Sequence, residues 1–441
     1  MTSIPRPPAP PRRTMSPGAA VTAVVLCWLL VVSDGYDLIV YGTVQTSLIE
    51  ETGWGLTDAT AGTVGSVAFV GMMLGAFFGG RLGDLLGRKR TIIACTIAFT
   101  VLNALCGLAD SAVVFGVLRF LAGLGLGGLL PSLNALTGDL VSARWRPAMA
   151  TLMMSGVPVG GTAAALLGTV VIPEFGWRWM FFLTLWSLLV IPLALQFLPE
   201  TTPTGGREHE EPRSAGSPGT SAAVPDATGA PQGGGTRAGI FGPAYKWTSL
   251  LFAAATLAIL FTWYGLGTWL PRLMELQGHD LGSALTFTIA LNLGAVAGSV
   301  VTAGAGARFG PLVSGIGATL AAGVGLLAMI SGQAPTALVY LLLVLAGVGT
   351  HGAQCLVIGA VNNSYPRDVR GTALGWSLGV GRFGAVLAPQ VGGLLLGTVL
   401  GVAAVYMVFA ASAVLAAALL AGLILLTVRR PSPARVPEHA A

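Results

Sequence analysis

Long runs of apolar residues recur along the whole chain, and short segments that hold most of the charged residues separate them. Each run has roughly 18 to 28 residues, the length that an α-helix needs to cross the hydrocarbon core of a bilayer. The pattern predicts an all-α membrane protein with twelve membrane-spanning helices. They are expected at 19–45, 60–82, 91–109, 112–137, 147–172 and 177–198 in the first half, and at 247–273, 281–304, 311–332, 335–361, 371–397 and 400–428 in the second.

The composition agrees with a chain that is solvated by lipid. Of its 441 residues, 54% are hydrophobic and only 9% are charged, whereas a soluble domain has about 25% charged residues. This balance excludes an ordinary soluble enzyme, a disordered protein and a disulfide scaffold. The sequence contains no His/Asp/Glu cluster with metal-ligand spacing, so we expect neither a metal nor a cofactor, and no enzyme activity.

The positions of the basic residues predict the orientation of the chain. If the N-terminus is cytoplasmic, about nineteen of the 23 Lys and Arg residues fall in cytoplasmic segments, as the positive-inside rule requires. Both termini are therefore expected in the cytoplasm, and the net charge of +5 indicates topology and not nucleic-acid binding. The Ala-, Gly- and Arg-rich usage suggests a bacterial chain, which places it in the cytoplasmic (inner) membrane as a multi-pass protein.

Changes in composition divide the chain into two six-helix halves. Residues 199–246 are dominated by Pro, Gly, Ser, Thr and charge, a composition typical of a flexible linker. The predicted parts are a disordered cytoplasmic N-terminus at 1–18, an N-terminal half at 19–198, the cytoplasmic linker at 199–246, a C-terminal half at 247–428 and a cytoplasmic tail at 429–441.

The two halves contain a weak internal repeat. The segment GGRLGDLLGRKR (Gly79–Arg90) follows the second span, and GAGARFGPL (Gly304–Leu312) follows the eighth. Repeated six-helix halves joined by a polar linker are typical of secondary transporters, whose substrate site lies between the halves near the middle of the membrane.

The first copy of the repeat resembles the loop signature of the major facilitator superfamily, G-x-x-x-D-x-x-G-R-K. The matching residues are Gly80, Asp84, Gly87, Arg88 and Lys89. The resemblance implies the major facilitator fold and a conformational latch at this loop. Asp139 and Arg144, near the loop that follows the fourth span, are included in this latch. The second copy has diverged, with Ala307 where an Asp is common and Pro311 in place of a basic residue.

Three longer segments resemble the aromatic acid:proton symporters of that superfamily. They are DGYDLIVYG (Asp34–Gly42), RFLAGLGLGGLLPSLNAL (Arg119–Leu136) and YPRDVRGTALGWSLGVGRFGAVLAPQVGG (Tyr365–Gly393). The resemblance implies import of small aromatic carboxylates, such as benzoate and hydroxybenzoates, by proton symport with alternating access. The expected partners are the aromatic acid, protons and the lipid bilayer, and the chain is expected to act as a monomer.

Four charged residues are predicted to lie deep in the membrane. An ionised side chain at the bilayer centre costs about 2.5 to 3.5 kcal/mol on insertion scales, so each is a candidate functional residue. Asp34 and Asp37 share one face of the first span, Arg119 reaches a similar depth, and Arg382 lies near the middle of its span. We expect one Asp to pair with Arg119 or to take a proton, and Arg382 to bind the substrate carboxylate in a planar fork.

The roles of the two acids and of Arg119 stay open at this point. We favour Asp34 as the better paired acid and Asp37 as the more easily protonated one, and both are assigned to proton coupling. A purely structural ion pair is the alternative for the acids. Arg119 either contacts substrate or holds helices together.

Further candidates for the substrate site are polar and aromatic residues of the spans. Tyr41, Tyr264 and Trp376 are expected to stack on an aromatic ring. Gln354 lies one turn from His351 and is a candidate partner for a ring hydroxyl. His351 itself is either an interior hydrogen-bonding residue or a proton relay.

Other functions remain as alternatives. A major facilitator carrier for sugars, other organic anions or drugs would keep the Gly80–Lys89 loop, but it has no need for two acids matched to Arg382. A membrane sensor or enzyme without transport is the remote alternative.

Overall fold

The computed structural model describes residues 17–142, 145–200, 239–330, 332, 334–366 and 369–428, although a few side chains within these ranges, including Asp84, lie outside the description. Within these residues, twelve helices are long and apolar enough to cross a membrane. The predicted fold class, an all-α membrane protein with twelve spans, is therefore confirmed. The division into domains stays a prediction, since 1–16, 201–238 and 429–441 lie outside the described residues.

The helices are numbered by span. The first half contains α1 (Pro17–Glu50), α2 (Asp58–Leu86), α3 (Arg88–Cys106), α4 (Ala112–Leu140), α5 (Arg146–Phe175) and α6 (Arg178–Phe197). The second half contains α7 (Lys246–Leu276), α8 (Leu281–Phe309), α9 (Pro311–Ala328), α10 (Thr336–Ser364), α11 (Arg370–Leu396) and α12 (Gly401–Val428). We call the side where α1 begins the proximal side, and the side where α1 ends the distal side.

The hydropathy pattern predicts twelve continuous helices, but two of the spans are interrupted. In α6, a 3₁₀ turn at Leu183–Leu185 joins two α-helical segments. In α10, Thr336–Gly347 and Ala353–Ser364 are α-helical, and Val348–Gly352 between them forms a π turn. The hydropathy pattern does not detect such breaks, because a change in the backbone hydrogen bonds leaves the apolar run intact. Gly239–Phe241, within the segment predicted as the linker, form a 3₁₀ turn before α7.

The internal repeat is visible in the backbone. Gly87, between α2 and α3, has φ 87° and ψ 150°, and Gly310, between α8 and α9, has φ 86° and ψ 148°. A positive φ strains residues with a side chain, so glycine is favoured at both turns. The two loops therefore share one conformation, although their sequences have diverged.

Local signals explain where several helices begin. Thr57 caps α2 with a capping box that includes Thr60, and Ser111 caps α4. Asp280 caps α8 by accepting from the Ser283 backbone N–H at 3.0 Å and from its hydroxyl at 2.7 Å. These hydrogen bonds hold the pKa of Asp280 below its usual range, the backbone bond contributing most.

Small residues set the packing within each half. A Cβ on Gly123 or Gly127 of α4 would collide with the backbone of Ala68 or Met72 on α2, so both glycines form the close-packing face that their spacing predicts. In the second half, a Cβ on Gly384 of α11 would collide with the α7 backbone. Lipid offers no hydrophobic drive between helices, so this close backbone contact contributes much of the association.

The two halves meet along three helix pairs, α1 with α7, α2 with α11 and α5 with α8. Gly42 of α1 lies against the backbone of Gly267 on α7, and Gly62 of α2 lies against Pro389 on α11. Both contacts lie toward the distal side, and the halves therefore approach each other closely there.

Candidate functional site

Asp37 and Arg119 form a buried ion pair inside the first half. The Arg119 Nη1 lies 2.5 Å from the Asp37 Oδ1, and Nη2 lies 3.4 Å from the Asp37 backbone carbonyl. Nη1 also donates to the Asn103 Oδ1 of α3 at 3.0 Å. The guanidinium therefore connects α1, α3 and α4. Asn103 was missed at the sequence level, although a lone Asn in an apolar span is a recognisable signal.

Asp34 lies one turn from this pair and has no such partner. Its side chain is fully buried, and neither carboxylate oxygen has a hydrogen-bond partner among the described residues. The close crossing of α1 and α5 holds it in place, because Gly35 packs on the backbone of Val157 and Gly160 on that of Val32. The expectation that Asp34 is the better paired acid is wrong, because Arg119 reaches Asp37 instead.

Arg382 is the second charged residue near Asp34 whose side chain has no partner among the described residues. It is half-buried and has no hydrogen bond or ion pair within the described part of the chain. Its charge interacts electrostatically with Asp34 and with Tyr264. Gly381 and Gly384 flank it and pack on α7, and this packing positions the guanidinium beside the first half.

Tyr264 lies between the charged groups and α2. Its ring contacts the ring of Phe69 edge-on, with 4.9 Å between centroids and 62° between planes. Four helices therefore contribute one residue each to a single cluster: Asp34 from α1, Phe69 from α2, Tyr264 from α7 and Arg382 from α11. This cluster is the candidate functional site.

His351 and Gln354 lie in α10, at its π turn and one turn beyond it. The His351 ring lies 5.2 Å from the ring of Trp263 on α7 and against the backbone of Met154 on α5. Both side chains are buried, and His351 Nε2 and both amide atoms of Gln354 have no hydrogen-bond partner among the described residues. Trp263 contacts His351, and the next residue of α7, Tyr264, belongs to the candidate site. The pair of His351 and Gln354 is therefore adjacent to that site.

Two predicted ring-stacking residues lie elsewhere. Tyr41 donates from its hydroxyl to the Ala61 carbonyl at 2.5 Å, and its ring lies 5.9 Å from the Arg119 guanidinium, so it packs inside the first half. Trp376 donates to the Ser249 carbonyl at 3.2 Å and packs on Phe241. Trp376 is six residues, or roughly 9 Å of helix, from Arg382 toward the proximal end. The structure does not bring either ring to Arg382.

The loop between α2 and α3 is connected to α4 and α6. Arg88 forms an ion pair with Asp139 and donates to the Ala135 carbonyl at 3.0 Å. Lys89 donates to the Leu195 carbonyl at 2.7 Å. These contacts are compatible with a latch, whose role stays a prediction. Arg144 and the side chain of Asp84 lie outside the described residues, and Gly80 lies within α2.

A polar cluster on the distal side connects the two halves. The Arg272 Nη1 of α7 lies 2.6 Å from Glu50 of α1, and its Nε lies 3.3 Å from Asp58 of α2. Glu275 of α7 accepts a hydrogen bond from Thr46 of α1. The sequence alone did not predict this cluster, because the pairing of distant helix ends is not visible in one sequence.

The arrangement suits binding of an organic anion. Within the described residues, no group of three or more His, Cys, Asp or Glu side chains is placed to hold a metal ion. A guanidinium without a partner offers a planar fork for a carboxylate, and an acid without a partner offers a place for a proton. Both lie between the halves.

Comparison with known proteins agrees with this description. A gentisate transporter of Corynebacterium glutamicum is 50% identical over 409 residues, covering 91% of this chain and 86% of that protein. A benzoate transport protein of Acinetobacter baylyi is 32% identical over 389 residues, covering 85% of this chain and 83% of that protein. The relatives are named as transporters and not as enzymes, and the resemblance to aromatic acid transporters is confirmed.

A solved structure shares the fold of this chain, and a family model identifies the superfamily. The crystal structure of a D-xylose–proton symporter matches with a TM-score of 0.73 at 16% identity, covering 91% of this chain and 97% of that one. The model of the Major Facilitator Superfamily matches residues 27–389, with a second match at 291–441. The chain therefore belongs to the Major Facilitator Superfamily.

Proposed function

We propose that the protein imports aromatic carboxylates of the benzoate and hydroxybenzoate type by proton symport. One observation carries the proposal: Asp34 of the first half has no hydrogen-bond partner among the described residues and interacts electrostatically with Arg382 of the second half. The transported compounds in the names of the relatives, gentisate and benzoate, support an aromatic acid as the substrate.

The substrate carboxylate binds to Arg382 in this proposal. A guanidinium offers two parallel N–H donors that match the two oxygens of a carboxylate. The substrate ring then lies beside Tyr264, whose aromatic face suits stacking. Gly371, Gly375 and Gly379 on the same side of α11 have no atom within 4 Å of an added Cβ, which supports an approach to Arg382 from the proximal side.

Asp34 carries the proton. A nearby positive charge stabilises a carboxylate, and Arg382 interacts electrostatically with Asp34. A carboxylate bound to Arg382 removes this stabilisation and adds a second negative charge, so protonation of Asp34 accompanies substrate binding. Proton and anion are then released together, and the gradient of one drives the transport of the other.

Alternating access follows from the contacts between the halves. The polar cluster around Arg272 connects the halves on the distal side, and rocking of the halves would open that side and close the proximal one. We assign the proximal side, with both termini, to the cytoplasm of a bacterial inner membrane, as the distribution of basic residues indicates. A single chain contains every residue of this scheme, which suits a monomer.

Uptake into proteoliposomes tests this function. The purified protein is reconstituted, and uptake of labelled 4-hydroxybenzoate is followed with a more acidic solution outside. We expect accumulation above the outside concentration, collapse of accumulation by a protonophore, and competition by benzoate but not by xylose. Uptake of xylose, or of the aromatic acid without any effect of the proton gradient, would contradict the proposal.

A further inference from the structure

The π turn of α10 lies near the middle of its span, and one face of the turn packs closely on α8 and α9. A Cβ on Gly349 would collide with Ala318 of α9, and one on Gly352 would collide with Thr302 of α8. Thr302 also donates to the Gly352 carbonyl at 3.2 Å, which satisfies an acceptor at the irregular turn. Single π turns occur frequently at functional sites. Here the turn fixes the position of the two polar residues on its other face.

These two residues bring unsatisfied polar atoms to the interface between the halves. His351 is 3% exposed and Gln354 is 5% exposed. His351 Nε2 and the Oε1 and Nε2 of Gln354 have no hydrogen-bond partner among the described residues. A buried polar atom without a partner is destabilising. These atoms therefore suit a bound molecule that offers a hydroxyl.

The pair is adjacent to the site proposed for the carboxylate. Trp263 of α7 contacts the His351 ring, and the next residue, Tyr264, interacts with the charges of Arg382 and Asp34. The two groups of residues are therefore on neighbouring faces of one helix, in the same layer of the membrane. In the proposed function, the ring of a substrate beside Tyr264 would lie between these two groups of residues.

We propose that His351 and Gln354 form a subsite that binds a hydroxyl group on the substrate ring. The inference rests on the proposed function, and it adds that the protein selects hydroxylated aromatic acids over unsubstituted ones. A phenolic hydroxyl donates one hydrogen bond and accepts others, and an amide together with a neutral imidazole supplies both an acceptor and donors. An unsubstituted ring leaves these atoms unpaired.

Substrate preference tests the subsite. Initial rates of uptake are measured for labelled benzoate and for 2-, 3- and 4-hydroxybenzoate, and kcat/KM is compared between acids for each variant. In Gln354→Met the amide is replaced by an apolar side chain of similar shape. We expect kcat/KM for the preferred hydroxybenzoate to fall about tenfold, the effect of one hydrogen bond, while kcat/KM for benzoate is unchanged or rises.

Gln45→Met is the matched control. Gln45 of α1 is fully buried, and its amide atoms also have no partner among the described residues, but it lies near the distal end of its helix. Its substitution should leave the ratio between the acids unchanged. His351→Gln should shift the ratio in the same direction as Gln354→Met.

The outcomes separate the subsite from the proposed function. Benzoate uptake by Gln354→Met shows that the variant is folded. Equal loss for benzoate and all hydroxybenzoates, or an unchanged ratio, would overturn the subsite while leaving aromatic acid transport intact. If the unsubstituted protein transports none of these acids, the proposed function fails, and the subsite with it.

Discussion

Asp37 and Arg119 pair with each other inside the N-terminal half, with 2.5 Å between Oδ1 and Nη1. The pair neutralises one of the two acids of α1 and leaves Asp34 as the acid that interacts with Arg382. In the proposed function, two carboxylates with one turn between them thus have different roles: Asp37 stabilises the half, and Asp34 binds the proton.

The first prediction concerns the stability of the buried pair. Removing one partner leaves an uncompensated charge in a low-dielectric interior, so Asp37→Asn and Arg119→Gln should each lower the free energy of unfolding by about 3 to 5 kcal/mol. The double variant should lose less than the sum of the two single ones. Denaturant unfolding of the purified variants in detergent measures this coupling. Additive losses would show that the two residues act independently.

The second prediction concerns the carboxylate fork. Arg382→Ala should lower kcat/KM for aromatic acid uptake about a hundredfold, in line with the loss of charge-assisted hydrogen bonds. Arg382→Lys keeps the charge but not the planar fork, and it should lose about tenfold. Arg308→Ala is the control, since Arg308 lies at the proximal end of α8 over the Phe309 ring and its loss should change uptake less than twofold. Full uptake by Arg382→Ala would disprove the fork.

The third prediction concerns the distal contacts of Arg272. Arg272→Gln removes ion pairs to Glu50 and Asp58, each worth up to about 1 kcal/mol, and should favour opening of the distal side. In a background without the native cysteines, Thr46→Cys should then react several times faster with a membrane-impermeant thiol reagent that is added outside.

The control for that experiment is another distal arginine. Arg178 donates to the carbonyls of Gly107 and Ala109 at 3.0 Å each, and all three belong to the N-terminal half. Arg178→Gln should therefore leave the reaction of Thr46→Cys unchanged. An equal increase in both variants would mean that the distal cluster does not hold the halves together.

The fourth prediction compares two glycines of α4. Gly127→Ala places a Cβ against the Met72 backbone of α2 and should lower the yield of folded protein and its melting temperature. Gly116→Ala has no atom within 4 Å of the new Cβ and should be neutral or slightly stabilising, because alanine favours a helix. Thermal unfolding of both variants measures the difference. Equal stability would show that α2 and α4 can separate at little cost.

Much of the fold could be predicted from the sequence, because the membrane imposes a simple rule on each span. An apolar run of a given length must be a helix, and the glycines at 87 and 310 mark the repeated turns. The π turn at Val348–Gly352 could not be predicted, since it changes the backbone hydrogen bonds and leaves the hydropathy unchanged.

The site was predicted only in part. The charges of Asp34, Asp37, Arg119 and Arg382 are identifiable because each is costly in lipid. Which charges pair depends on how helices distant in sequence pack, and this is why Asp34, instead of Asp37, was favoured as the better paired acid. Trp376 illustrates the same limit: it lies on α11 as Arg382 does, but its indole bonds with α7 near the proximal end.

The most direct test of the account is proton coupling in Asp34→Asn. The variant keeps the shape of the side chain and cannot be ionised, so it should resemble the protonated state permanently. Exchange of labelled for unlabelled 4-hydroxybenzoate across proteoliposomes should continue, and accumulation driven by a pH gradient should be lost. If Asp34→Asn still accumulates the acid under a pH gradient, Asp34 is not the proton carrier and the account is contradicted.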